Sequence, residues 1–509
     1  MTQTRTLVQT LSEQQDSPLS SNTQVVLTPT KIGLIRTAQS TWSSRSVRER
    51  LKVIRHLRHL IAENDYDLAK SIQQHRRTPL AEIMAAEILP LAEACEFLER
   101  KAKSILKPRK LGRKGRPIWL SGVWTEVHKE PFGVVLVIGP SNYPLFLPAC
   151  QVLQALVAGN AVLVKPGIGG TEALELLAKL LNQAGLDDDL ITILPEPKNS
   201  VERAIDAGVD KIVMTGSAHT GQVVLRMAAE HIVPVVAELS GCDAAFVLGS
   251  ADLDRVVRAL TFSMRWNRSE TCIAARRVFV DRRIASKLER LLAEAVGKIT
   301  QDWESTSGSV RAIPLLREAL NRGARKIIGD VLPGDSGITP TILTDVPKEC
   351  SLLQEDVFAP VVSIVAVESM EEALAASKQC PYALGATIFG EERQARELAK
   401  DIDAGIVLIN DIIVPTADPR MPFGGRGRSG FGITRGAEGL LEMTTVKVIS
   451  RRRGLCRHLE QPDPTDAELF HRYLQTVHSS SAWKRCREGL AFMRFLWKRA
   501  LGQSDGDKK

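Results

Sequence analysis

The chain has 509 residues, 44% of them apolar, so it is long enough to build two or three hydrophobic cores and is not a disordered segment. Its net charge of +8 is unevenly placed, because residues 451–509 carry 13 Lys and Arg against 7 Asp and Glu and hold +6 of the total. The rest of the chain is close to neutral and has no nucleic-acid-reading motif, which excludes a nucleic-acid partner from our expectations.

The chain shows no apolar run of about 18 residues and no apolar stretch near its start, so we expect a cytoplasmic protein. Eight cysteines are scattered without a CxxC pair and without histidines at metal-ligand spacing. This pattern predicts reduced thiols and no metal site. The cysteines are at positions 95, 150, 242, 272, 350, 380, 456 and 486.

Residues 1–24 are rich in Ser, Thr and Gln and predict a flexible lead-in segment. A helical period follows in RERLKVIRHLRHLIAENDYDLAKSI (48–72), where apolar residues recur on one face. The basic, glycine-containing stretch 107–117 predicts a solvated loop. The sequence IWLSGVWTEVHKEP (118–131) alternates like a hairpin or an edge ribbon.

From residue 132 onward, short apolar strands such as GVVLVIG, NAVLVKP, KIVMTG and VPVVAEL alternate with helices. This alternation indicates βαβ units and a parallel sheet, whose ligands bind at the carboxyl ends of the strands. A second alternating region lies between about 250 and 440 and predicts another α/β lobe. Its expected elements are a helix at 252–265, a strand at 277–280, a helix at 283–298, and strands near 361–367 and 405–409.

Polar residues stand where several of these strands end. They are Asn142, Lys165, the Thr215-Gly216-Ser217 turn and Glu238. GSAHTG (216–221) opens a predicted helix, so its N–H groups either hold a pyrophosphate or form a simple strand-to-helix turn. Lys165 either reaches a ribose or phosphate or faces solvent. Glu238 follows an apolar run, and burial there raises a carboxyl pKa toward that of a general base, although pairing with an arginine is the alternative.

Cys272 lies in RSETCIAARR (268–277), a polar turn that runs into a strand. A lone cysteine is commonly a buried structural residue, so these residues alone leave open whether Cys272 is a nucleophile.

Seven segments together resemble the aldehyde dehydrogenase superfamily and follow the family's order over roughly residues 25 to 452. Glu238 and Cys272 also have the usual separation of 34 residues. The segments are PSNYP (140–144) for the PWN motif, VLVKP for the KPS-type turn, MTGSAHTG for the FTGS turn, AELSG for ELGG, RSETCIA for the GQxC signature, EDVFAP (355–360) for EEIFGP, and MPFGGRGRSGFG (421–432) for the PFGG segment.

The resemblance implies an α/β, aldehyde dehydrogenase-like fold with a Rossmann-like nucleotide domain, an α/β catalytic domain and a bridging β-ribbon that usually makes a homodimer. The expected divisions are a nucleotide-binding domain at 25–117 and 132–240, a bridging ribbon at 118–131 and 440–452, a catalytic domain at 241–439, and a basic C-terminal extension at 453–509.

The resemblance also implies a mechanism. Cys272 attacks an aldehyde as a thiolate, for which its pKa has to fall below the free value of about 8.5. The Asn142 amide and the Cys272 backbone N–H bind the oxyanion. Glu238 then activates the water that hydrolyses the thioester. Relatives that pass the acyl group to coenzyme A generally lack this glutamate, so its presence favours release of a free acid.

Four departures from the family pattern affect these expectations. Ser141 replaces the PWN tryptophan, and Ser269-Glu270 replaces GQ, which places a carboxylate near Cys272 that is expected to raise the thiol pKa. Ile168 replaces the glutamate that disfavours a 2′-phosphate, so NAD or NADP is expected as cofactor. Asp356 replaces the glutamate that holds the nicotinamide ribose. The implied cofactor-binding residues are Lys165, Gly216, Ser217, Gly221, Asp356 and Phe358.

An aldehyde is the implied substrate, and Phe146, Trp266 and Asn267 are the candidates for its entry tunnel.

Past the family's normal end, residues 482–502 place apolar residues at helical spacing between basic ones. Such a helix lies on an anionic membrane surface or docks on protein. In the first case the protein is peripheral on the inner face of a membrane and the substrate is a long apolar aldehyde of lipid or carotenoid type. A coenzyme A-linked enzyme and a catalytically silent scaffold are the alternatives.

Overall fold

The computed structural model describes residues 27–76, 78–117, 120–300, 303, 307–453, 464 and 466–504, and the predicted lead-in 1–24 lies outside these residues. The chain divides into two compact units. Unit 1 comprises residues 1–109 and 127–447, and unit 2 comprises residues 110–126 and 448–509.

The helices come in the chain order α1 to α17. They are α1 (Pro29–Ser44), α2 (Val47–Glu63), α3 (Asp65–Arg76), α4 (Leu80–Ile83), α5 (Leu89–Ile105), α6 (Phe146–Ala158), α7 (Thr171–Gln183), α8 (Asn199–Asp206), α9 (Ala218–Glu230), α10 (Leu253–Arg265), α11 (Arg282–Thr300), α12 (Ile313–Asn321), α13 (Met370–Ser377), α14 (Glu392–Ala399), α15 (Gly436–Glu442), α16 (Asp466–His478) and α17 (Ala482–Ser504).

The strands come in the chain order β1 to β18. They are β1 (Arg109–Leu111), β2 (Val123–Pro131), β3 (Val134–Ile138), β4 (Ala161–Lys165), β5 (Ile191–Ile193), β6 (Lys211–Thr215), β7 (Val235–Glu238), β8 (Asp243–Val247), β9 (Ala275–Asp281), β10 (Arg325–Ile328), β11 (Thr341–Thr344), β12 (Val361–Val367), β13 (Tyr382–Ala383), β14 (Gly385–Phe389), β15 (Ile406–Ile409), β16 (Arg426–Gly427), β17 (Gly430–Phe431) and β18 (Thr444–Arg452).

The first large sheet of unit 1 has the strand order β17-β7-β6-β3-β4-β5. Its central strands run parallel, and only β17 joins antiparallel, with Gly430 opposite Glu238. Every residue of β3 (VVLVI) is buried, as expected for a parallel strand covered on both faces. Helix α6 is buried along its whole length and ends at Gly159, whose φ of 106° favours glycine. The carboxyl ends of the parallel strands β3 to β7 therefore lie along the same edge of this sheet.

The second large sheet has the order β10-β11-β12-β9-β8-β14-β15 and is parallel except for the β10–β11 pair. Strand β9 lies near its middle and begins three residues after Cys272. Together the two sheets confirm the predicted α/β class. The predicted helices and strands between 250 and 440 are confirmed, whereas the helices α12 to α15 and the strands β10, β11 and β14 were not predicted.

The amphipathic pattern over 48–72 forms the two helices α2 and α3, because α2 ends at Glu63, with Asn64 as its C-cap, and α3 begins at Asp65. A capping box starts α2: the Ser46 hydroxyl accepts from the Glu49 N–H, and the Glu49 carboxylate accepts from the Ser46 N–H. Between α4 and α5 the chain adopts a π-helical segment, Met84–Ile88, which places Glu87 in the interior. Such segments frequently accompany functional sites.

Unit 2 contains the predicted C-terminal helix as α17 and, before it, the helix α16 that the sequence reading missed. The two helices form a hairpin in which Tyr473 contacts Phe492 and the Arg472 guanidinium lies 5.7 Å from the Phe495 ring centre. Of the helices in the described part of the chain, none is both long and apolar enough to cross a bilayer.

Candidate active site

The predicted catalytic residues lie in two loops and one strand end of unit 1. Glu238 is the last residue of β7. Asn142 lies in the turn between β3 and α6, and Cys272 lies in the loop between α10 and β9. Gly241 packs directly against this last loop, because a Cβ on it would lie 2.6 Å from the Cys272 carbonyl oxygen. The sheet edge therefore brings the segments that carry all three residues together.

The loop before Cys272, residues 266–272 and hereafter the nucleophile loop, has a strained backbone. Asn267, Arg268 and Ser269 have φ angles of 48°, 55° and 65°, three consecutive left-handed residues without a glycine. Such a conformation costs on the order of 1–3 kcal/mol per residue and persists only where surrounding contacts enforce it. Side chains from several other segments supply those contacts.

The turn that carries Asn142 and the nucleophile loop are joined by reciprocal hydrogen bonds. Asn142 Nδ2 donates to the Glu270 carbonyl at 2.8 Å, and Asn267 Nδ2 donates to the Asn142 carbonyl at 2.9 Å. The hydroxyls of Tyr143 and Thr271 lie 2.9 Å apart. The Asn142 amide is thus held beside the backbone of Cys272, although in this structure its hydrogen bond goes to a carbonyl group.

Glu238 is 2% exposed, and only one of its two carboxylate oxygens accepts a hydrogen bond from a described residue. Thr434 Oγ1 donates to Oε2 at 2.8 Å, and Oε1 accepts no hydrogen bond from any described residue. Burial raises the pKa of Glu238, while Arg435 and the Thr434 hydroxyl oppose that rise. A carboxylate in such a place is a stronger base than one in water, and its free oxygen can accept a proton.

Cys272 is partly exposed, and the chain alone does not activate it. Burial raises its pKa well above the usual value, and the charges of Glu238 and Asp243 raise it further, against a smaller opposite effect of Arg435. The lowered pKa that fast attack requires is therefore not a property of the chain alone, and it stays a prediction for the protein with its cofactor bound. Attack on a carbonyl therefore requires a proton acceptor or an added positive charge near the thiol.

The effect of Glu270 on the pKa of Cys272 stays a prediction, and the structure shows a partner that opposes it. The Glu270 carboxylate forms an ion pair with Arg76 at 2.7 Å, and the largest shifts of the Cys272 pKa come from burial, Glu238 and Asp243. Arg76 is the last residue of α3 and is 194 positions away in the sequence. No local pattern could have revealed this pairing.

Four of the predicted cofactor residues lie at the strand ends of the first large sheet or in helix α9, which follows β6. Ser217 caps α9, because its hydroxyl accepts from the Thr220 N–H at 3.2 Å, and Gly216 precedes it with space around its Cα. Gly221 instead serves packing, since a Cβ there would lie 2.7 Å from Leu239 Cδ2. Lys165 is half-buried at the end of β4, and burial lowers its pKa.

The other two cofactor residues lie in the segment before β12, which belongs to the second sheet. Asp356 Oδ1 is buried and has no hydrogen-bond partner among the described residues. Burial raises the pKa of Asp356. Phe358, two residues later, is half-buried. The unpaired Asp356 oxygen suits a hydroxyl donor such as a ribose.

The three candidate tunnel residues lie beside the same loops but differ in what they contact. Trp266 is half-buried and lies against Phe262, with ring centres 5.0 Å apart. Phe146 is 5% exposed, at the start of α6. Asn267 is buried, and its amide group is fully used by hydrogen bonds to Asn142, Glu270 and Arg76, so it supports the loop.

Several residues that build the site were missed by sequence reasoning. Glu87 accepts hydrogen bonds from the N–H groups of Leu145 and Phe146 at the start of α6. Arg276, buried in β9, donates to Ser269 Oγ at 2.6 Å and to the Ala359 carbonyl. A buried charged residue in an apolar sequence is the one signal that could have indicated either of them.

The comparisons with known proteins agree with one another. The family model described as the aldehyde dehydrogenase family matches residues 32–449. A Mycobacterium ulcerans protein named "Putative succinate-semialdehyde dehydrogenase [NADP(+)] 2" is 32% identical over 438 residues, which cover 82% of this chain and 83% of that protein. A Methylomonas protein named "4,4'-diapolycopene aldehyde oxidase" is 29% identical, with 80% and 78% covered.

Among solved structures, that of a "Putative Aldehyde Dehydrogenase from Burkholderia cenocepacia" has a TM-score of 0.77 and 29% identity. The match covers 86% of this chain and 94% of that one. The similarity in sequence and fold therefore extends over most of both chains.

Proposed function

The chain belongs to the aldehyde dehydrogenase family, and from this premise we propose that it oxidises an aldehyde to the free carboxylic acid with NAD or NADP. The observation that carries the proposal is the buried Glu238 carboxyl, which has one oxygen free to take a proton beside the loop of Cys272. The overall change is that an aldehyde, water and the oxidised cofactor give the acid, the reduced cofactor and a proton.

Cys272 forms the first covalent bond in this proposal. The thiol gives up its proton to solvent, Sγ attacks the aldehyde carbon to give a thiohemiacetal anion, and this oxyanion accepts hydrogen bonds from the Asn142 amide and the Cys272 N–H. To bind the oxyanion, the Asn142 amide breaks its hydrogen bond to the Glu270 carbonyl. The movement is short, because hydrogen bonds already hold the turn of Asn142 against the nucleophile loop. Loss of a hydride from the same carbon leaves a thioester on Cys272.

Glu238 completes the reaction. Its free oxygen removes a proton from a water molecule that attacks the thioester, and the C–S bond breaks to release the acid and the thiol. An enzyme that transfers the acyl group to coenzyme A needs no such base. Measuring free acid against acyl-coenzyme A after one incubation with both acceptors separates the two reactions, and a predominance of the acyl-coenzyme A would overturn the proposed hydrolysis.

The cofactor supplies the two-electron hydride acceptor when it is bound. Three features fit it: the N-terminus of α9, which attracts a pyrophosphate, the unpaired Asp356 oxygen, which can accept from a ribose hydroxyl, and Lys165. Ile168, at the position where the family often has a carboxylate, is 79% exposed and repels no 2′-phosphate. We therefore expect turnover with both NAD and NADP.

For the substrate we propose a long apolar aldehyde taken from a lipid surface. One relative is named for a diapolycopene aldehyde and the other for succinate semialdehyde, so the relatives alone support either choice. The argument for the apolar class comes from unit 2. The α16–α17 hairpin exposes large apolar side chains outside its own contact, namely Phe470, Leu474, Trp483, Leu490, Met493 and Trp497.

The charge of this hairpin selects the kind of surface that it can bind. Arg487 and Arg494 are exposed on α17 among these apolar residues, and 451–509 as a whole has a net charge of +6. Tryptophan and leucine beside arginine suit the boundary between anionic headgroups and acyl chains. We propose that the hairpin binds an anionic membrane surface.

A vesicle flotation assay on the full chain tests this binding. Vesicles with anionic lipid should carry the protein upward, neutral vesicles much less, and a variant with Trp483, Leu490, Met493 and Trp497 changed to Ser should stay behind. Leu89→Ser, at another exposed apolar residue, is the control. Equal flotation of the four-residue variant and the wild type, or none for the wild type, would overturn the proposal.

We also propose a homodimer formed through the three-stranded sheet β1-β2-β18. Strand β18 is an edge strand, and Val446, Val448 and Ile449 on it are all about half exposed. An edge with free backbone groups and apolar side chains is suited to pairing with a second copy. Light scattering should give twice the chain mass, and Val446→Glu with Val448→Glu should give monomers. A wild-type monomer at all concentrations would contradict this.

A further inference from the structure

Arg76 connects the segments that carry Asn142 and Cys272. Its Nη1 donates to the Ser141 carbonyl at 2.6 Å, and its Nη2 donates to Asn267 Oδ1 at 3.0 Å and to the Glu270 carboxylate at 2.7 Å. The side chains of Arg76 and Glu270 are only 13% and 17% exposed. One guanidinium from the end of α3 thus contacts both loops at once.

We propose that Arg76 is a positioning residue of the aldehyde oxidation: it holds the nucleophile loop against the turn that carries Asn142 and keeps the Glu270 carboxylate paired. This inference rests on the proposed function, because it assigns a role within that reaction. Arg76 contacts neither the thiol of Cys272 nor the Asn142 amide, so it acts through the loops.

The strain of the nucleophile loop shows why such a contact is needed. Asn267, Arg268 and Ser269 lie in the left-handed region, which a free loop would leave. Arg76 holds the first of them through its side chain, and the Glu82 carboxylate accepts from its N–H. Helices α3 and α4 therefore hold the loop from one side, while Arg276 holds Ser269 from the other.

The fork of a guanidinium suits this place better than an ammonium group. Two nitrogens of the planar Arg76 guanidinium donate to three acceptors that lie in different directions. One acceptor is on the turn that carries Asn142, and the other two are on the nucleophile loop. Lysine would keep the positive charge but could not reach both loops with fixed geometry. Arg76→Lys therefore separates the charge role from the positioning role.

Glu270 makes the charge role measurable at Cys272. When Arg76 is removed, the carboxylate two residues before the thiol loses its pair, and a negative charge there disfavours the thiolate. Other charged groups around the thiol stay unchanged in such variants, which makes the comparison clean. These groups are Glu238 on β7, Asp243 on β8, Asp356 before β12 and Arg435 before α15.

The test measures the rate at which iodoacetamide alkylates Cys272 against pH, by peptide mass spectrometry, together with steady-state turnover. Arg76→Met should raise the pH midpoint by at least half a unit and lower kcat at least tenfold, with a smaller effect on KM. Arg76→Met with Glu270→Gln should restore the midpoint but not kcat. Arg76→Lys should keep the midpoint near that of the wild type and lower kcat.

The matched control is Arg58→Met, which removes another partly buried arginine, paired with Glu99 at 2.7 Å between α2 and α5. It should change neither quantity. An Arg76→Met protein with the wild-type midpoint and kcat would overturn the inference, as would a midpoint that the Glu270→Gln change fails to restore. If Arg76→Met does not fold, Arg76→Lys and Glu270→Gln carry the test.

The alkylation profile needs neither aldehyde nor cofactor. A wild-type protein that oxidises no aldehyde would count against the proposed function, while the shift of the alkylation midpoint would still decide the role of Arg76 at Cys272.

Discussion

Thr434 donates a hydrogen bond of 2.8 Å to Glu238, and this leaves the second carboxylate oxygen of Glu238 as the free acceptor beside the nucleophile loop. One oxygen is fixed in orientation while the other can take a proton. The position of this carboxylate depends on β17, because Gly430 pairs with Glu238 across the two strands.

Removing the base should separate the two halves of the reaction. In Glu238→Gln we expect one equivalent of reduced cofactor to form rapidly, followed by a steady rate lower by about 10²- to 10⁴-fold, because the thioester is no longer hydrolysed. Stopped-flow absorbance measures both phases, and intact-protein mass spectrometry detects the acyl group. A steady rate equal to that of the wild type would show that Glu238 is not the base.

Gly430 should tolerate no side chain. Its φ is +95°, and a Cβ would lie 1.9 Å from the Ala237 carbonyl oxygen, one residue before Glu238. We expect Gly430→Ala to lose about 3 kcal/mol or more of unfolding free energy and most activity. Gly185→Ala is the control, since Gly185 has a φ of +100° with nothing near its Cβ position and should lose only about 1 kcal/mol. Denaturant unfolding compares the two, and equal losses would refute the steric argument.

Glu87 should make stability depend on pH. Burial raises its pKa from 4.5 to about 7, against the hydrogen bonds from Leu145 and Phe146. A carboxyl with a raised folded-state pKa contributes stability while it is protonated, and this contribution is lost as the pH rises through 7. Between pH 5 and pH 8 the stability of Glu87→Gln should therefore gain about 2–3 kcal/mol relative to the wild type.

Urea unfolding at both pH values measures this difference. Glu202→Gln, at an exposed position on α8, serves as the control and should follow the wild type. A Glu87→Gln curve parallel to that of the wild type would mean that Glu87 does not titrate in this range.

Ile168 offers a direct test of cofactor choice. It is 79% exposed, so Ile168→Glu should not disturb folding but should place a carboxylate where the family often has one. We expect kcat/KM with NADP to fall about tenfold or more relative to NAD, because the carboxylate repels a 2′-phosphate. Ile168→Gln controls for size without charge. An unchanged ratio would place the adenosine ribose elsewhere.

The sequence predicted the α/β class, the second-sheet strands β9, β12 and β15, and α17, because strand and helix periods are local properties. It could not predict that Arg76 pairs with Glu270, because residues so far apart meet only through the fold. The rise of the Cys272 pKa in the chain alone was not predicted for a similar reason, since the motif contains Cys272 but not the buried charges that the fold places around it. α16 was missed because only the stretch after it showed a conspicuous basic and aromatic pattern.

The most direct measurement of the central claim is the oxidation of a medium- and a long-chain aldehyde by the full chain, with NAD and NADP offered separately and free acid quantified. The account predicts that the wild type forms reduced cofactor and acid in equal amounts and that Cys272→Ala forms neither. Cys350→Ala, at a buried cysteine of the second core, should form both products as the wild type does. Cofactor reduction that persists in Cys272→Ala, or none with any aldehyde despite cofactor binding, would contradict it.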